Sequence, residues 1–300
     1  MRKLKYFTEK PLNKQLMQIQ KSCLEIIKNY NAFLVDVWGV IHSGGVLYPN
    51  TQNAMKEMMK QGFVLLLSNA PRKASKVASF LAGIGIEKGV HYNEILTSGQ
   101  AFLLHAQKSQ YKTVFYIGPD RDLDIFDAEK SDLNDNFSQD IPPQITITQN
   151  IEDDFDDAIV TGLTNQMDIS VDFPKLEALL KKGVTLSCIN PDIIVNNAKG
   201  EQELCAGAVA IEYKKMGGNV RYFGKPYGEV YQIALEILPK NSKILAIGDG
   251  METDILGANN AGIDCVLCKT GIHNKEISWR GIDEFLSEFP QKPNFVIEQL

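Results

Sequence analysis

No stretch of this 300-residue chain approaches the roughly 18 consecutive apolar residues a membrane-crossing helix needs, so no such span is expected. The opening residues MRKLKYFTEK are charged and lead into no apolar core, so they do not read as a secretory signal. Basic residues are not in excess. With 31 Lys and Arg against 37 Asp and Glu, the net charge is −6. That balance argues against nucleic acid or an anionic membrane as the main partner, and leaves room for a small anionic ligand at a locally positive site. Paired cysteines are also lacking. The five thiols (Cys23, Cys188, Cys205, Cys265 and Cys268) form an odd set, expected to be reduced in a cytoplasmic protein. Cys265 and Cys268 spell CxxC within IDCVLCKT, but strand alternation would send the two side chains to opposite faces, and one pair cannot close a four-ligand zinc site. No internal repeat or low-complexity tract is evident.

What is present is enough apolar sequence, 44%, to bury a sizeable core, at a length that suggests two domains. Leu12, Leu16, Ile19, Cys23 and Ile26 recur at helical spacing and predict a helix over residues 10–29. AFLVDVW and FVLLLSNA are apolar throughout, as strands covered on both faces must be. Helical patterns lie between and after them, in TQNAMKEMMKQG and SKVASFLAGIG, and EILTSG follows as a short extended piece. The grammar returns late, with NVRYFGKP, GEVYQIALEIL, KILAIGDG, TDILGANNAG and DCVLCKT. Strands alternating with helices predict an α/β protein whose core is a doubly wound, mostly parallel sheet. Between the two halves, YKTVFYIG, DDAIVTGL and FPKLEALLKKG predict an inserted α/β domain. The expected boundaries are residues 1–98 and 191–300 for the core and 99–190 for the insert. From Asp120 to Asp157 the chain holds thirteen acidic and two basic residues, which reads as a solvated, loop-rich surface or as a face for a cation or partner.

Four short motifs fall where the core domain's predicted strands end: Asp36 in LVDVWGV, Ser68-Asn69 after FVLLL, Lys225 in FGKPYGE, and Asp249 with Asp254 in AIGDGMETD. In open α/β sheets that edge is where ligands bind. The residue types suit phosphoryl transfer. An aspartate can act as nucleophile and form an acyl phosphate. Asp36 and Asp249 can jointly hold Mg²⁺, which favours carboxylate oxygen. Ser68, Asn69 and nearby amides can hold phosphate oxygens, and Lys225 can stabilise both Asp36 and the transferring charge. Gly39 leaves room for a close approach of backbone to an anion. Each piece also has an ordinary reading. Ser68-Asn69 could form a helix N-cap, Lys225 could be a surface lysine, and Asp254 could orient Asp249 or cap the following helix.

Taken in order, the motifs resemble those of the haloacid dehalogenase superfamily of aspartate-nucleophile hydrolases. They are similar to its subclass IIA, whose large α/β cap lies between the second and third motifs, as in 4-nitrophenylphosphatase-like and nucleotide-sugar-operon phosphatases. DVWGVIHSG, LLSNAPR, TSGQA, INPD, FGKPYGEVY and IGDGMETDILGANNAGI carry the likeness, and TSGQA and INPD resemble the two cap–core crossings. The resemblance implies Asp36 as nucleophile, Ser68 as phosphate ligand and Lys225 as the third-motif base. It implies Asp36, Asp249 and the main-chain carbonyl of Trp38 as magnesium ligands, and a small phosphorylated metabolite as substrate, with a homodimer left open. Phosphatases of this superfamily carry a second aspartate where this chain has Trp38. An indole cannot donate or take the proton. General acid–base catalysis contributes about 10²–10⁴-fold, or roughly 3–5 kcal/mol. The expectation is therefore a weakened or specialised phosphatase. The alternatives are a catalytically impaired protein that binds a phosphorylated ligand or a protein partner, and a dehalogenase-type hydrolase. His42 is the nearest replacement acid, or else a structural residue of the turn.

Overall fold

The computed structural model describes residues 18–20, 23–127, 145–196 and 201–300. In chain order its strands are β1 (Gln18–Gln20), β2 (Ala32–Val35), β3 (His42–Ser43), β4 (Val46–Leu47), β5 (Phe63–Ser68), β6 (Glu94–Thr97), β7 (Thr113–Ile117) and β8 (Thr146–Thr148). They continue with β9 (Asp157–Val160), β10 (Thr185–Cys188), β11 (Ile194–Asn196), β12 (Gln202–Leu204), β13 (Asn219–Tyr222), β14 (Ile244–Gly248), β15 (Asp264–Cys268) and β16 (Phe295–Ile297). The helices are α1 (Leu24–Ile27), α2 (Thr51–Gln61), α3 (Ala74–Gly83), α4 (Ser98–Lys108), α5 (Phe173–Lys181), α6 (Ala206–Lys215), α7 (Gly228–Ile237), α8 (Leu256–Ala261), α9 (Asn274–Arg280) and α10 (Ile282–Ser287).

The first sheet runs β1-β16-β15-β14-β2-β5-β6, with every pairing parallel. Its apolar strands are covered on both faces. Phe33, Val35, Val64 and Leu66 meet Met55 and Met58 of α2 on one side, while Leu34, Leu65 and Leu67 share a cluster with Val230 and Tyr231 of α7 on the other. The same alternation places Cys265 and Cys268 in opposite clusters, and all five thiols are free and buried.

Of the helix expected over residues 10–29, the described residues contain α1 alone. Leu12 and Leu16 lie outside the described residues, and Gln18–Gln20 pair with Phe295–Ile297 as the edge strand β1. An open parallel edge offers main-chain partners that a helical pattern in the sequence does not register.

The second sheet is also wholly parallel, in the order β13-β10-β9-β7-β8. Asn219–Tyr222, read from the sequence as the opening strand of the core's second half, instead closes this sheet as β13. Helix α6 makes the crossover from β10, packing Val209 and Tyr213 against Leu186 and Val160. The two sheets meet through α4 and Phe223. The Phe102 and Phe223 rings lie 5.6 Å apart, edge to face, within one apolar cluster that reaches both sheets. In the acidic stretch, residues 128–144 lie outside the described residues. Of the rest, Asp122 and Asp157 are buried, and Asp156 accepts hydrogen bonds from the amides of Lys112 and Thr113, so the stretch is only partly a solvated surface.

Candidate active site

The order of the first sheet reverses between β2 and β14. From β2 the chain moves outward to β5 and β6; after the second sheet it returns beside β2 and moves the other way through β15 and β16. The crevice beyond such a reversal is where open α/β sheets take ligands. Val35 pairs with Ile247, so Asp36 and Asp249 leave neighbouring strand ends side by side, and the Asp36 amide donates to the Ile247 carbonyl at 2.9 Å.

Asp36, Asp249 and Asp254 are all buried, each with a carboxylate oxygen within 4.8 Å of the others. Among the described residues they are the one acidic grouping close enough to share a metal ion. The buried Lys225 ammonium donates to Asp36 Oδ1 at 2.5 Å and to Asp254 Oδ1 at 2.7 Å. Asp254 sits in the wide π-helical turn Met251–Ile255, where its other oxygen accepts from the Gly250 amide and the Thr253 hydroxyl, both at 3.2 Å. It therefore anchors Lys225, which is no surface lysine.

Asp249 Oδ2 accepts from the Ile272 amide at 2.6 Å. Two glycines make room for this carboxylate. A Cβ on Gly39 would lie 2.3 Å from Asp249 Oδ2 and one on Gly271 only 1.6 Å from it. Gly39 also adopts φ +88°, which L side chains rarely tolerate.

Ser68 ends β5, beside β2, and its Oγ accepts from the Ala70 amide at 3.2 Å. The pair Ser68-Asn69 does not cap α3, whose N-cap is Lys73. Asn69 instead ties the two sheets together. Its Oδ1 accepts from the Lys225 amide at 2.7 Å, and its Nδ2 donates to Asp192 Oδ1 at 2.8 Å and to the Lys225 carbonyl at 3.1 Å.

Trp38, 37% exposed, stands edge-on to the His42 ring at 5.1 Å. His42 is 2% exposed, flanked on another side by Phe80 at 5.1 Å, and its Nδ1 accepts from the Gly45 amide at 3.4 Å. Burial lowers its pKa to about 4, so the ring is neutral at pH 7. These contacts seat the ring within the turn between Trp38 and Phe80.

Burial drives the electrostatics. Desolvation lifts the Asp36 carboxyl well above its ordinary range, Lys225 opposes that, and Asp254 and Asp249 add to it. Asp249 is pushed up to about 7, by burial first and then by Asp254, with the Ile272 amide pulling the other way. Burial alone would lower the pKa of Lys225, yet Asp254 and Asp36 hold it above the usual lysine value. The site is short of positive charge.

Three contributors carry little or no mark of their role in the sequence. Asp192 was visible only as part of the INPD crossing. Ser98, whose Oγ lies 3.5 Å from Asn69 Oδ1, was visible only as part of TSGQA. The turn Thr270–Ile272 carried no signal, although the Thr270 hydroxyl holds the Gly39 carbonyl at 2.6 Å and the Ile272 amide holds Asp249.

A model of haloacid dehalogenase-like hydrolases matches residues 33–130, and a second, HAD-hydrolase-like model matches residues 222–300. The chain belongs to the haloacid dehalogenase-like hydrolases. The matched segments contain Asp36, Ser68 and Asn69 in the first, and Lys225, Asp249 and Asp254 in the second. This hydrolase is 25% identical over 257 residues to an acid sugar phosphatase of Staphylococcus saprophyticus, covering 83% of this chain and 90% of that one. A haloacid dehalogenase-like hydrolase of Brucella suis superposes with a TM-score of 0.73 at 25% identity, covering 94% of this chain and 99% of that one. A glycerol phosphate phosphatase of Mycobacterium tuberculosis in complex with magnesium shares the fold at TM-score 0.66 and 20% identity, over 90% and 76% of the two chains.

Proposed function

We propose that this hydrolase is a phosphatase that releases phosphate from a small phosphorylated metabolite through an aspartyl phosphate on Asp36. The observation that carries the reading is the buried group of Asp36, Asp249 and Asp254 around the single ammonium of Lys225. Three carboxylates against one cation leave negative charge that a divalent ion would offset, and an all-oxygen donor set suits Mg²⁺. Asp36, Asp249 and the Trp38 main-chain carbonyl would hold it. Bound there, the ion would screen Asp36 from the incoming phosphate and polarise a phosphoryl oxygen. The relative named as an acid sugar phosphatase and the magnesium complex of a structural neighbour support the same reaction class and metal.

The chain's own groups have separable roles. The Asp36 carboxylate attacks phosphorus as the ester P–O bond breaks and the alkoxide departs. Lys225 holds Asp36 in place and faces the charge gathering on the phosphoryl oxygens, while Ser68 and Gly39 border the phosphate position. Water then attacks phosphorus, the P–O bond to Asp36 breaks, and inorganic phosphate and the carboxylate are regenerated. Neither Trp38 nor the buried, neutral His42 offers a proton to the departing alkoxide. The reaction is thus suited to leaving groups stable as anions.

The test is Mg²⁺-dependent release of 4-nitrophenol from 4-nitrophenyl phosphate, whose leaving group needs little protonation. Wild type should turn over, and Asp36→Asn should fall by at least about 10³-fold. Trp38→Asp should gain about 10–100-fold on alkyl phosphates and little on 4-nitrophenyl phosphate. A wild type that is silent on 4-nitrophenyl phosphate while still binding Mg²⁺ would overturn the reading in favour of a protein that binds, without hydrolysing, a phosphorylated ligand.

A further inference from the structure

One histidine unused by the proposed reaction reaches into the turn between Asp249 and Asp254. Two loops leave the neighbouring strands β14 and β15 at the same sheet edge, one carrying Asp249 and Met251, the other Ile272 and His273. They exchange two hydrogen bonds. The Ile272 amide donates to Asp249 Oδ2 at 2.6 Å, and the Met251 amide donates to His273 Nε2 at 3.2 Å. Each loop thus supplies one amide and one side-chain acceptor.

Met251 is fully buried and opens the π-helical turn Met251–Ile255. The opening amides of a helical turn have no partner inside it. Here Asp254 Oδ2 takes the Gly250 amide, and His273, 22 residues further on, takes the Met251 amide. The Met251 carbonyl is held in turn by Gln291 Nε2 at 3.0 Å. Both polar groups of this backbone position are fixed from outside the turn. The second loop also grips the first motif: the Thr270 hydroxyl donates to the Gly39 carbonyl at 2.6 Å, and the Tyr48 hydroxyl donates to the Thr270 carbonyl at 3.0 Å. Gly39 follows Trp38, whose carbonyl stands with Asp36 and Asp249 in the proposed ligand set. The His273 ring rests against Phe285 at 4.9 Å and Phe289 at 6.0 Å. That packing orients the ring, and an accepting Nε2 puts the proton of neutral imidazole on Nδ1.

We infer that His273 is a positioning residue for the metal site: by accepting the Met251 amide it locks the turn that holds Asp249 and Asp254, and so sets the affinity for the divalent ion. The inference rests on the proposal that Asp36 and Asp249 hold Mg²⁺. Outer groups that orient metal ligands are worth about 10–100-fold in affinity, and His273 acts one step further out, at the low end of that range.

Two variants separate this role from packing. His273→Phe keeps an aromatic ring against Phe285 and Phe289 and removes the acceptor. His273→Gln gives up the ring and keeps an oxygen that can accept from the Met251 amide. Calorimetric titration with Mg²⁺ alone should show Kd raised about tenfold in His273→Phe and within about threefold of wild type in His273→Gln. Turnover of 4-nitrophenyl phosphate by His273→Phe should fall at limiting Mg²⁺ and recover at saturating Mg²⁺. Should His273→Phe not fold, His273→Asn, whose amide ends one bond short of Nε2, takes its place with the same expected rise in Kd. A Kd unmoved by loss of the acceptor, or raised more by His273→Gln than by His273→Phe, would overturn the inference and leave a packing role. Those outcomes spare the metal reading, because wild type still binds. No Mg²⁺ binding by wild type would overturn both.

Discussion

At the scale of single residues, Trp38 and His42 show how one substitution reshapes its surroundings. A tryptophan two places after Asp36 brings an apolar ring where an acid would need water or a substrate oxygen. The chain covers that ring's edge with a neutral imidazole seated between Trp38 and Phe80. The consequence is measurable. Burial depresses the pKa of His42 from 6.5 to about 4, so the folded state binds fewer protons than the unfolded state between those values. The stabilisation is complete above about pH 6.5 and is lost as pH falls towards 4, by roughly 3 kcal/mol if the whole shift is expressed. His42→Gln, whose carbonyl can still accept from the Gly45 amide, should flatten this. Urea unfolding at pH 7 and pH 4.5 should show wild type losing about 2 kcal/mol more than the variant, and equal losses would contradict a buried neutral ring.

At the scale of elements, the second sheet carries a polar defect in an otherwise apolar strand. Asp157 opens β9, buried, with its carboxylate accepting from the Ser187 hydroxyl at 2.7 Å and from the Ala158 amide at 2.9 Å. Burial outweighs these bonds and raises its pKa to about 6. Here the folded state holds the proton more tightly, so stability is greatest below the unfolded value near 4 and declines as pH rises through 6. Asp157→Asn removes the buried charge and can keep both contacts. It should therefore stabilise the protein by about 1–2 kcal/mol at pH 7.5, with the gain vanishing near pH 4 in the same unfolding assay. A loss at pH 7.5 would mean that the ionised carboxylate is worth more to the sheet than its desolvation costs.

At the scale of the whole molecule, Asn69 joins the strand ends of the two sheets. Its amide links β5 to Lys225 after β13 and to Asp192 after β10. Asn69→Ala would leave a partly buried Asp192 oxygen and the buried Lys225 amide without this partner, at a cost of about 1–3 kcal/mol. Equilibrium denaturation should show that loss. If the two sheets depend on this link for cooperative unfolding, the single transition should also broaden or split. A change below about 0.5 kcal/mol would show that Phe102, Phe223 and the rest of the shared apolar cluster hold the sheets together without it.

Local patterns in the sequence were enough for the class of the fold and for the ends of the first-sheet strands that carry Asp36, Ser68-Asn69 and Asp249, whereas Lys225 follows a strand of the second sheet. Continuous apolar strands, helical periodicity and polar residues just past each strand are local patterns, and a doubly wound sheet gathers its strand ends at one edge. The remainder came from contacts between residues distant in the chain. Gln18–Gln20 joined an edge whose partner lies near the other end of the chain, and Asn219–Tyr222 closed the second sheet although its sequence suits either one. The same holds for Asp254 against Lys225 and for the room that Gly39 and Gly271 give Asp249. Each of these depends on distance and desolvation between residues far apart in the chain, which local periodicity and propensity do not encode.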